Sequence, residues 1–424
     1  KRELFYKKEL SFQVSCSHGP GRYDPVYENY NDYPIGFVRW TAKRNFEAVL
    51  NAFANDQISA KGLISNKFPF EKFNDAFNTL LNESSTLGIL LSYKQEKSLS
   101  QKIFVGTINK NIHTKKSKLN VSFIGAGNYS KRKLIPIFSK NRANFIGIAA
   151  SSGLNPSIIA RKYNFKYAST NVREIIEDQD NVIIVIASRH DSHAKLIVEG
   201  LRAKKHIFVE KPLCLTIEEL RTIKEAYTGE QILMVGYNRR FAPLTLELKK
   251  FLDKNKLPIA FNYTCNAGFI DKKHWLNNKK IGGGRLLGEA CHFIDLLRFL
   301  ANSSIESISI NYLKDSNNLK DTFIINLSFK DGSIGTINYL SNGSKAFQKE
   351  RLEVFVNGGI IRIDDFKKIS SWGIDGFKNH SNLVQDKGQN NCVISFMNSV
   401  SKGIPSPISI EQLFEVQEKL LELV

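Results

Sequence analysis

The chain has 424 residues, of which 42% are hydrophobic, and its 60 lysines and arginines against 41 acidic residues give a formal net charge of +19. That length exceeds what one hydrophobic core usually fills, so we expect two or three domains. No segment has the roughly 18 uninterrupted apolar residues that span a bilayer, and the first residues show no apolar stretch of signal-peptide length, so we expect a cytoplasmic protein without membrane insertion.

The five cysteines stand far apart and show no CxxC spacing of the kind that binds zinc. We therefore expect reduced thiols in a reducing compartment, with no disulfide and no metal. The cysteines are Cys16, Cys214, Cys265, Cys291 and Cys392.

Part of the positive charge is concentrated in residues 91–118, which hold seven lysines and one acid, Glu96, with weak periodicity. We interpret residues 96–118 as a basic linker that follows an N-terminal segment, residues 1–95. The other basic residues are scattered and are not interleaved with aromatic residues as in RNA-recognition modules. This pattern favours surface solubility over nucleic-acid binding.

Five short apolar runs follow the linker, separated by helical patterns such as HAKLIVEGLRAKK. This alternation indicates βαβ units on a parallel sheet covered on both faces. Residues 119–243 are therefore predicted to form an α/β, doubly wound Rossmann domain. The runs are NVSFIGAG, NFIGIAAS, DNVIIVIAS, KHIFVEK and QILMVGYN.

After residue 243 the pattern changes to longer alternating strands, with DG and NGG as hairpin signals. Two helical patterns, NNCVISFMNSVSKG and ISIEQLFEVQEKLLELV, close the chain. Residues 244–424 are therefore predicted to form a second α/β domain with an antiparallel-rich sheet, which we assign to substrate binding and oligomerisation.

The stretch GAGNYS supplies the first two glycines of a dinucleotide-binding GxGxxG loop, Gly125 and Gly127, with Ser130 in the third position. Gly125 permits a tight turn from strand to helix, and Gly127 lets the backbone approach a pyrophosphate at the helix N-terminus. Asn128 and Tyr129 open that helix and are included in the predicted cofactor site. The motif is weak alone, but the further strand units favour nucleotide binding.

The end of the second strand normally carries an acid that binds the ribose 2′-hydroxyl of NAD. Here Ser151 and Ser152 occupy that region, and the next acid is Glu174. A neutral end leaves room for a 2′-phosphate, which Arg161 or Lys162 could approach. We therefore expect NAD(P) as cofactor, with NADP slightly favoured over NAD.

Five motifs resemble, in order and spacing, the glucose-fructose oxidoreductase/inositol dehydrogenase/MocA (Gfo/Idh/MocA) family. The resemblance implies a Rossmann domain followed by an α/β domain with a large open sheet, which commonly forms dimers or tetramers. It also implies oxidation or reduction of a hydroxyl or carbonyl, usually on a sugar or cyclitol. The motifs are SFIGAGNYSKRKLIPIF, ASRHDSHA, VEKPLCLT, GYNRRFAP and GGGRLLGEACHFIDLLRFL.

The N-terminal segment is similar to the C-terminal end of a zinc-type medium-chain alcohol dehydrogenase. The similarity lies in residues 6–40, in KRNFEAVLNAFANDQI and in LISNKFPFEKFNDAFNTLL. Proteins that join the two families are associated with polysaccharide biosynthesis. The segment has neither its own glycine fingerprint nor a metal-ligand cluster, so we expect either a fragment of a longer protein or a remnant that only packs.

The sequence Glu210-Lys211-Pro212 is predicted at the carboxyl end of a strand, the edge at which parallel sheets bind ligands. In the family this lysine hydrogen-bonds the reacting hydroxyl and the nicotinamide ribose, and we include Glu210 among the cofactor residues. A lysine near the positive nicotinamide ring would have a lowered pKa, which suits a proton shuttle. A surface lysine after a strand is the alternative.

Residues 187–193 follow the third strand. The resemblance places His193 near the nicotinamide, and His190 replaces the family's asparagine. Ala187 and Ser188 complete this part of the expected cofactor site. A helix-capping role for Asp191 or Ser192 stays open, whereas two histidines without a third ligand make a metal site unexpected.

Glu289 and His292 are three residues apart on a predicted helix and share a face, with Asp295 one turn further. The family usually has an aspartate four residues before the histidine, where this chain has Gly288. We therefore expect His292 to be the general acid/base and Glu289 to supply the acid. A capping or buried structural histidine is the alternative.

Asn238, Arg239 and Arg240 follow the fifth strand and, with Asp295, form the predicted substrate-binding set. An arginine fork suits a substrate carboxylate or phosphate. For Arg240 a structural salt bridge is an equal alternative.

These observations predict an NAD(P)-dependent oxidoreductase of a sugar or sugar nucleotide without nucleic-acid partners, and the family resemblance implies a homo-oligomer. Two other hypotheses remain open. A non-catalytic NAD(P)-binding protein is suggested by Gly288, and a basic scaffold for anionic polymers is suggested by the net charge of +19.

Overall fold

A computed structural model describes residues 2–11, 19–21, 23–28, 31–93, 101–105, 119–151, 154–255, 257–314 and 320–424. The chain forms two compact units, Lys1–Leu99 and Ser100–Val424. Most of the expected linker, together with Cys16 and Ser152, lies outside the described residues.

The described residues of the Lys1–Leu99 unit form four α-helices and one parallel pair of strands, in which Asn66 lies beside Ile89. Among its described residues only Thr41 and Ala76 are buried, and apolar side chains such as Phe77 and Leu81 are exposed. This unit therefore has little core of its own. Its elements are α1 (Arg2–Lys7), α2 (Pro25–Glu28), α3 (Ala42–Ala54), β1 (Asn66–Pro69), α4 (Phe73–Asn82) and β2 (Ile89–Ser92).

The first part of the Ser100–Val424 unit is a seven-stranded sheet. Its strands are β3 (Lys102–Phe104), β4 (Asn120–Ile124), β5 (Asn144–Ala149), β6 (Tyr167–Ser169), β7 (Ile183–Ile186), β8 (His206–Val209) and β9 (Leu233–Val235). Their order is β3-β6-β5-β4-β7-β8-β9, and all neighbours are parallel except β3 and β6. The covering helices are α5 (Ile135–Lys140), α6 (Leu154–Tyr163), α7 (Arg173–Ile176), α8 (His193–Arg202) and α9 (Ile217–Ala226).

The five predicted Rossmann strands are confirmed as β4, β5, β7, β8 and β9. Every residue of β4 and β7 is buried, as expected for strands covered on both faces. The two missed strands, β3 and β6, have three residues each, too few for a pattern to be read. Because β3 pairs with β6, residues 102–104 of the expected linker belong to the sheet.

The second part of this unit is an eight-stranded sheet in the order β11-β12-β13-β10-β14-β15-β16-β17. All neighbours are antiparallel except β10 and β13, which confirms the mostly antiparallel sheet. The strands are β10 (Ala260–Asn266), β11 (Ile305–Tyr312), β12 (Phe323–Phe329), β13 (Ile334–Leu340), β14 (Glu350–Val356), β15 (Gly359–Asp364), β16 (Lys368–Trp372) and β17 (His380–Ser381).

The predicted NGG turn joins β14 to β15. Asn357 and Gly358 both have positive φ, 49° and 75°, as a two-residue hairpin of matching twist requires. Four helices complete the unit, and α11 packs on the sheet through Phe293, whose ring stacks on Tyr263 at 4.7 Å. The helices are α10 (Pro243–Leu252), α11 (Cys291–Ala301), α12 (Gln389–Lys402) and α13 (Ile410–Leu421).

Candidate active site

The predicted site residues converge because four parallel strands end at the same edge of the sheet. Gly125 follows β4, Ala187 follows β7, Glu210 follows β8 and Gly236 follows β9. Ligands of doubly wound sheets bind outside the carboxyl ends of the strands. A cofactor is therefore expected to bind at this edge.

The turn after β4 requires glycine at position 125. Gly125 has φ +109°, and a Cβ there would lie 2.4 Å from the carbonyl oxygen of Ala187. The buried Ser130 donates a hydrogen bond from Oγ to the Gly125 carbonyl at 2.9 Å. Ser130 therefore replaces the third glycine of the motif and also fixes the turn.

The backbone at Gly127 is open on its outer side. A Cβ at Gly127 would meet nothing within 4 Å, and Asn128 and Tyr129 are exposed beside it. A helical segment starts here and continues through Ser130–Leu134 into α5. Unpaired N–H groups at a helix start bind phosphate, so this surface fits the pyrophosphate of NAD.

Two histidines after β7 are buried and neutral. Burial lowers the pKa of His193, so the ring is neutral and carries one N–H. We place this N–H at Nδ1, which has the shorter contact, 2.8 Å to the Pro212 carbonyl oxygen. Nε2 lies 3.3 Å from the Ser188 carbonyl oxygen. Its side chain is fully buried and links two loops of the site, and its predicted contact with the cofactor stays a prediction.

His190 packs beside Gly288. Burial lowers its pKa to about 3, and Nδ1 donates to the Gly282 carbonyl at 2.8 Å. Its ring meets Trp275 edge-on, with the two centroids 4.9 Å apart. A Cβ at Gly288 would lie 2.7 Å from Leu276 and 3.2 Å from His190, so these side chains fill the space next to Gly288.

Lys211 links the loop after β8 to the turn before α11. Its Nζ donates a hydrogen bond to the carbonyl oxygen of Gly288, and the Lys211–Pro212 peptide bond is cis. Gly288 lies in a π-helical turn, Leu286–Ala290, which directly precedes α11. Such turns change the regular backbone hydrogen bonding and occur often at functional sites, which accounts for a carbonyl that accepts from a side chain.

His292 occupies the first turn of α11, next to Lys211. Burial lowers its pKa well below the usual value, and the positive charges of Arg239 and Lys211 lower it further. Its Nδ1 is buried without a hydrogen-bond partner in the described part of the site. His292 is therefore neutral and free to accept a proton, although its low pKa makes it a weaker base than the near-neutral exchanger that its residue type suggested.

Glu289 is an ionised carboxylate. Burial would raise its pKa, but the charges of Lys211 and Arg285 and a hydrogen bond from Tyr339 outweigh burial and lower the pKa. The Tyr339 hydroxyl donates to Glu289 Oε2 at 2.6 Å, and Arg285 Nε donates to that hydroxyl at 2.6 Å. The expected acid is present beside Gly288, but it holds its charge and does not carry a proton at neutral pH.

Arg240 and Asp295 correct the predicted substrate-binding set. Both are buried, and the guanidinium makes a bidentate ion pair with the carboxylate, with Nε at 2.9 Å from Oδ2. Arg240 Nη1 also donates to Gln412 at 3.1 Å. These contacts support the structural salt bridge and leave neither side chain for a substrate.

Arg239 points the other way, toward β14. Its Nε and Nη2 donate to the two oxygens of Glu350 at 2.7 and 3.0 Å. Lys387 Nζ lies 2.6 Å from the same carboxylate, and the pKa of Glu350 stays well below its usual range because these two cations outweigh burial. Asn238 donates from Nδ2 to the Lys387 carbonyl at 2.6 Å, so it positions a loop.

Glu210 lies at the carboxyl edge of the parallel sheet, which we call the nucleotide edge. Its Oε1 would be 2.9 Å from a Cβ added to Gly236. Burial raises the pKa of Glu210 to about 7, although Lys211 opposes the shift. Ser151 is exposed beyond β5.

Four residues of the site were missed in the sequence: Arg285, Tyr339, Glu350 and Lys387. One signal was available, because β14 alternates with Glu350, Leu352 and Val354 on its buried face. An acid on an otherwise apolar buried face requires a charged partner. Within the described residues no group of three metal-ligating side chains occurs, and no helix is long and apolar enough to cross a membrane.

Family models match both sheets of the unit. Residues 119–237 match the model described as an oxidoreductase family with an NAD-binding Rossmann fold, and residues 247–362 match the Gfo/Idh/MocA C-terminal domain. The chain belongs to the Gfo/Idh/MocA oxidoreductase family. This confirms the family predicted from the five motifs, whereas the similarity of residues 1–95 to medium-chain dehydrogenases is not shown.

Individual relatives agree with this family. Myo-inositol 2-dehydrogenase of Thermotoga maritima is 27% identical over 216 residues, which cover 49% of this chain and 64% of the relative. Levoglucosan dehydrogenase of Pseudarthrobacter phenanthrenivorans is 29% identical over 198 residues, which cover 43% of this chain and 51% of the relative. The matched region thus spans only half to two thirds of these relatives.

Solved structures show the same fold. Levoglucosan dehydrogenase in complex with NADH and levoglucosan superimposes with a TM-score of 0.62 at 20% identity, over 71% of this chain and 95% of that chain. Aldose-aldose oxidoreductase from Caulobacter crescentus, complexed with glycerol, gives a TM-score of 0.63 at 18% identity, over 71% and 94%.

Proposed function

We propose that the Ser100–Val424 unit is an NAD-dependent oxidoreductase that acts on a hydroxyl or carbonyl group of a sugar, polyol or sugar nucleotide. The observation that carries the proposal is the hydrogen bond from Lys211 to the Gly288 carbonyl. It joins the carboxyl edge of the parallel sheet to the start of the helix that bears His292. The nucleotide edge and a proton-accepting side chain thereby become neighbours.

In this proposal the residues divide the work by charge and position. Lys211 donates a hydrogen bond to the reacting oxygen, and neutral His292 accepts the hydroxyl proton during oxidation. Ionised Glu289 offsets the charge of Lys211 and accepts hydrogen bonds from other substrate hydroxyls. The glycine turn at Gly125 and Gly127 would hold NAD in register with the substrate, and the bound cofactor would supply the hydride acceptor.

We take NAD as the cofactor because the matched family is described as NAD-binding. The expected preference for NADP rested on Ser151 and Ser152, and Ser152 lies outside the described residues. Separate titrations of the protein with NADH and NADPH, followed by dihydronicotinamide fluorescence, decide between them. A role in polysaccharide biosynthesis depends on the medium-chain similarity of residues 1–95 and stays a prediction, as does the homo-oligomer.

The direct test is to incubate the full chain with NAD and a panel that includes myo-inositol, levoglucosan, glucose and UDP-glucose, and to follow NADH absorbance. We expect NADH formation with at least one compound. The second hypothesis, a nucleotide-binding protein without turnover, is favoured by Gly288 in place of the family's aspartate. Tight NADH binding without reaction on the whole panel, in either direction, would support that second hypothesis.

A further inference from the structure

Two cations, Arg239 and Lys387, share one buried carboxylate. Glu350 is 1% exposed and accepts hydrogen bonds from Arg239, Lys387 and the hydroxyl of Tyr263. Two positive charges and one negative charge leave one positive charge without a counterion. An uncompensated charge in a poorly solvated site is costly unless an anion pairs with it.

This cluster is held rigidly from several sides. Asn238 fixes the backbone of Lys387 through its carbonyl, and the next residue, Gly388, has φ +82°. A Cβ on Gly388 would lie 2.4 Å from the carbonyl oxygen of Asn238, so the loop approaches as closely as only glycine allows. The ammonium of Lys387 is thus positioned in advance by its main chain and by Glu350.

Both cations retain hydrogen-bond donors that no described residue uses. Arg239 uses Nε and Nη2 on Glu350, while Nη1 has no hydrogen-bond partner among the described residues and is not among the buried unpaired atoms. Lys387 has three N–H donors and one described acceptor. The two side chains keep 12% and 16% of their exposure, so they are deep but reachable.

Arg239 lies close to the helix that bears His292, because its guanidinium carbon is 5.2 Å from the ring centroid of Phe293, the residue after His292. The charges of Arg239 and Lys387 both contribute to the lowered pKa of His292, together with that of Lys211. The cluster and His292 are therefore neighbours.

The neighbouring acids are already engaged. Asp386 accepts from the backbone N–H of Gly388 at 2.8 Å, and Asp365 accepts from the backbone N–H groups of Lys349 and Glu350 at 3.1 and 2.8 Å. None of these acidic groups contacts Lys387 in the described part of the chain.

We propose that Arg239 Nη1 and Lys387 Nζ bind an anionic group on the substrate, a carboxylate or a phosphate, while His292 faces the reacting hydroxyl. A guanidinium beside an ammonium suits either anion, and charge-assisted hydrogen bonds are stronger than neutral ones. The inference rests on the proposed function, since it names the substrate class of the same site. It replaces the predicted trio of Asn238, Arg239 and Arg240 with Arg239 and Lys387, and it gives Asn238 a positioning role.

The test compares matched neutral and anionic sugars by isothermal titration calorimetry on protein saturated with NADH, so that no ligand can occupy the nucleotide edge. The ligands are glucose, glucuronate, glucose 6-phosphate and UDP-glucose. We expect at least one anionic ligand to bind at least tenfold more tightly than glucose. Preference for glucuronate identifies a carboxylate, and preference for the other two identifies a phosphate.

Two variants test the assignment. Lys387→Gln should reduce the preferred anion's affinity at least tenfold and leave NADH affinity unchanged, whereas Lys387→Arg should retain most of the preference. The matched control is Lys402→Gln, which removes the same charge about 20 Å away at the other end of α12. It should bind all ligands as the unaltered protein does.

The inference is overturned if glucose and all three anions bind equally, if no anion binds, or if Lys387→Gln retains the full preference. Turnover is measured separately, as NADH formation from NAD with the same ligands. Anion binding that depends on Lys387, without any NADH formation, leaves this inference standing and rejects the proposed oxidoreductase activity.

Discussion

Lys211 and Gly288 are 77 residues apart in sequence, and the Lys211 ammonium donates a hydrogen bond to the Gly288 carbonyl. The contact joins the loop after β8 to the π-helical turn before α11. It therefore sets the distance between the nucleotide edge of the parallel sheet and His292. A glycine at position 288 suits this contact, because Leu276 and His190 leave no room for a side chain there.

Replacement of Lys211 by alanine should lower kcat roughly a hundredfold or more with little change in NAD affinity, because the lost interaction is made chiefly in the transition state. His292→Ala should have a similar effect. Since the two groups act on one hydroxyl, the double variant should be little worse than the poorer single variant. Steady-state kinetics and NAD titration check this, and a fully active Lys211→Ala protein refutes the proposed chemistry.

Substitutions of the two glycines of the nucleotide turn should have different consequences. Gly127→Val should keep the fold and abolish NAD binding, because its Cβ meets no protein atom within 4 Å and enters the expected pyrophosphate space. Gly125→Val should instead destabilise the protein, because its Cβ would lie 2.4 Å from Ala187 O. Thermal unfolding and nucleotide titration of both variants separate the two effects. Unchanged NAD affinity in Gly127→Val contradicts the cofactor assignment.

The Glu289→Gln variant should lower kcat/KM by roughly tenfold without removing a limb of the pH–rate profile near neutrality. The pKa of Glu289 is lowered, so the carboxylate is already ionised above its usual value of 4.5, and its stabilising contribution is lost only as the pH falls below that value. Tyr339→Phe is the matched variant, since it removes one hydrogen bond and keeps the charge. Loss of a neutral-pH limb in Glu289→Gln restores a proton-relay role.

Replacement of Glu210 by glutamine should stabilise the NAD-free protein at pH 8 but not at pH 5. Burial raises the pKa of Glu210 from 4.5 to about 7, so the folded protein holds this proton more tightly than the unfolded chain does. The free energy of unfolding that the protonated Glu210 contributes is therefore fully present below about pH 4.5. It is lost as the pH rises from there through about 7, by at most about 3 kcal/mol. Melting temperatures at both pH values measure this. Glu218→Gln, on the exposed surface of α9, should change neither value.

Removal of residues 1–99 should leave NAD binding intact, because the Ser100–Val424 unit contains the whole seven-stranded sheet. Removal of residues 1–118 also deletes β3, which pairs with β6 and places Phe104 against Tyr167 at 6.2 Å. The shorter chain should therefore melt at a lower temperature than the longer one. Loss of NAD binding by a folded 100–424 chain shows that residues 1–99 contribute to the nucleotide site.

The buried strands, the hairpin turn and the glycine turn could be predicted from short stretches of sequence. Continuous apolar runs predicted the buried strands β4, β5, β7, β8 and β9, since a strand covered on both faces needs apolar residues at every position. Asn357-Gly358 predicted a hairpin because few other residues adopt positive φ at both positions. The glycine turn at Gly125 and the location of Lys211 at a strand end follow from the same local signals.

The roles of the charged side chains depend on contacts between distant parts of the chain. Arg239 and Arg240 are adjacent and chemically identical, yet one pairs with Glu350 in the cleft and the other with Asp295 in the core. Their partners lie 111 and 55 residues further along the chain. Whether an arginine is structural or available depends on which distant carboxylate the fold brings to it, and local periodicity carries no information on that pairing.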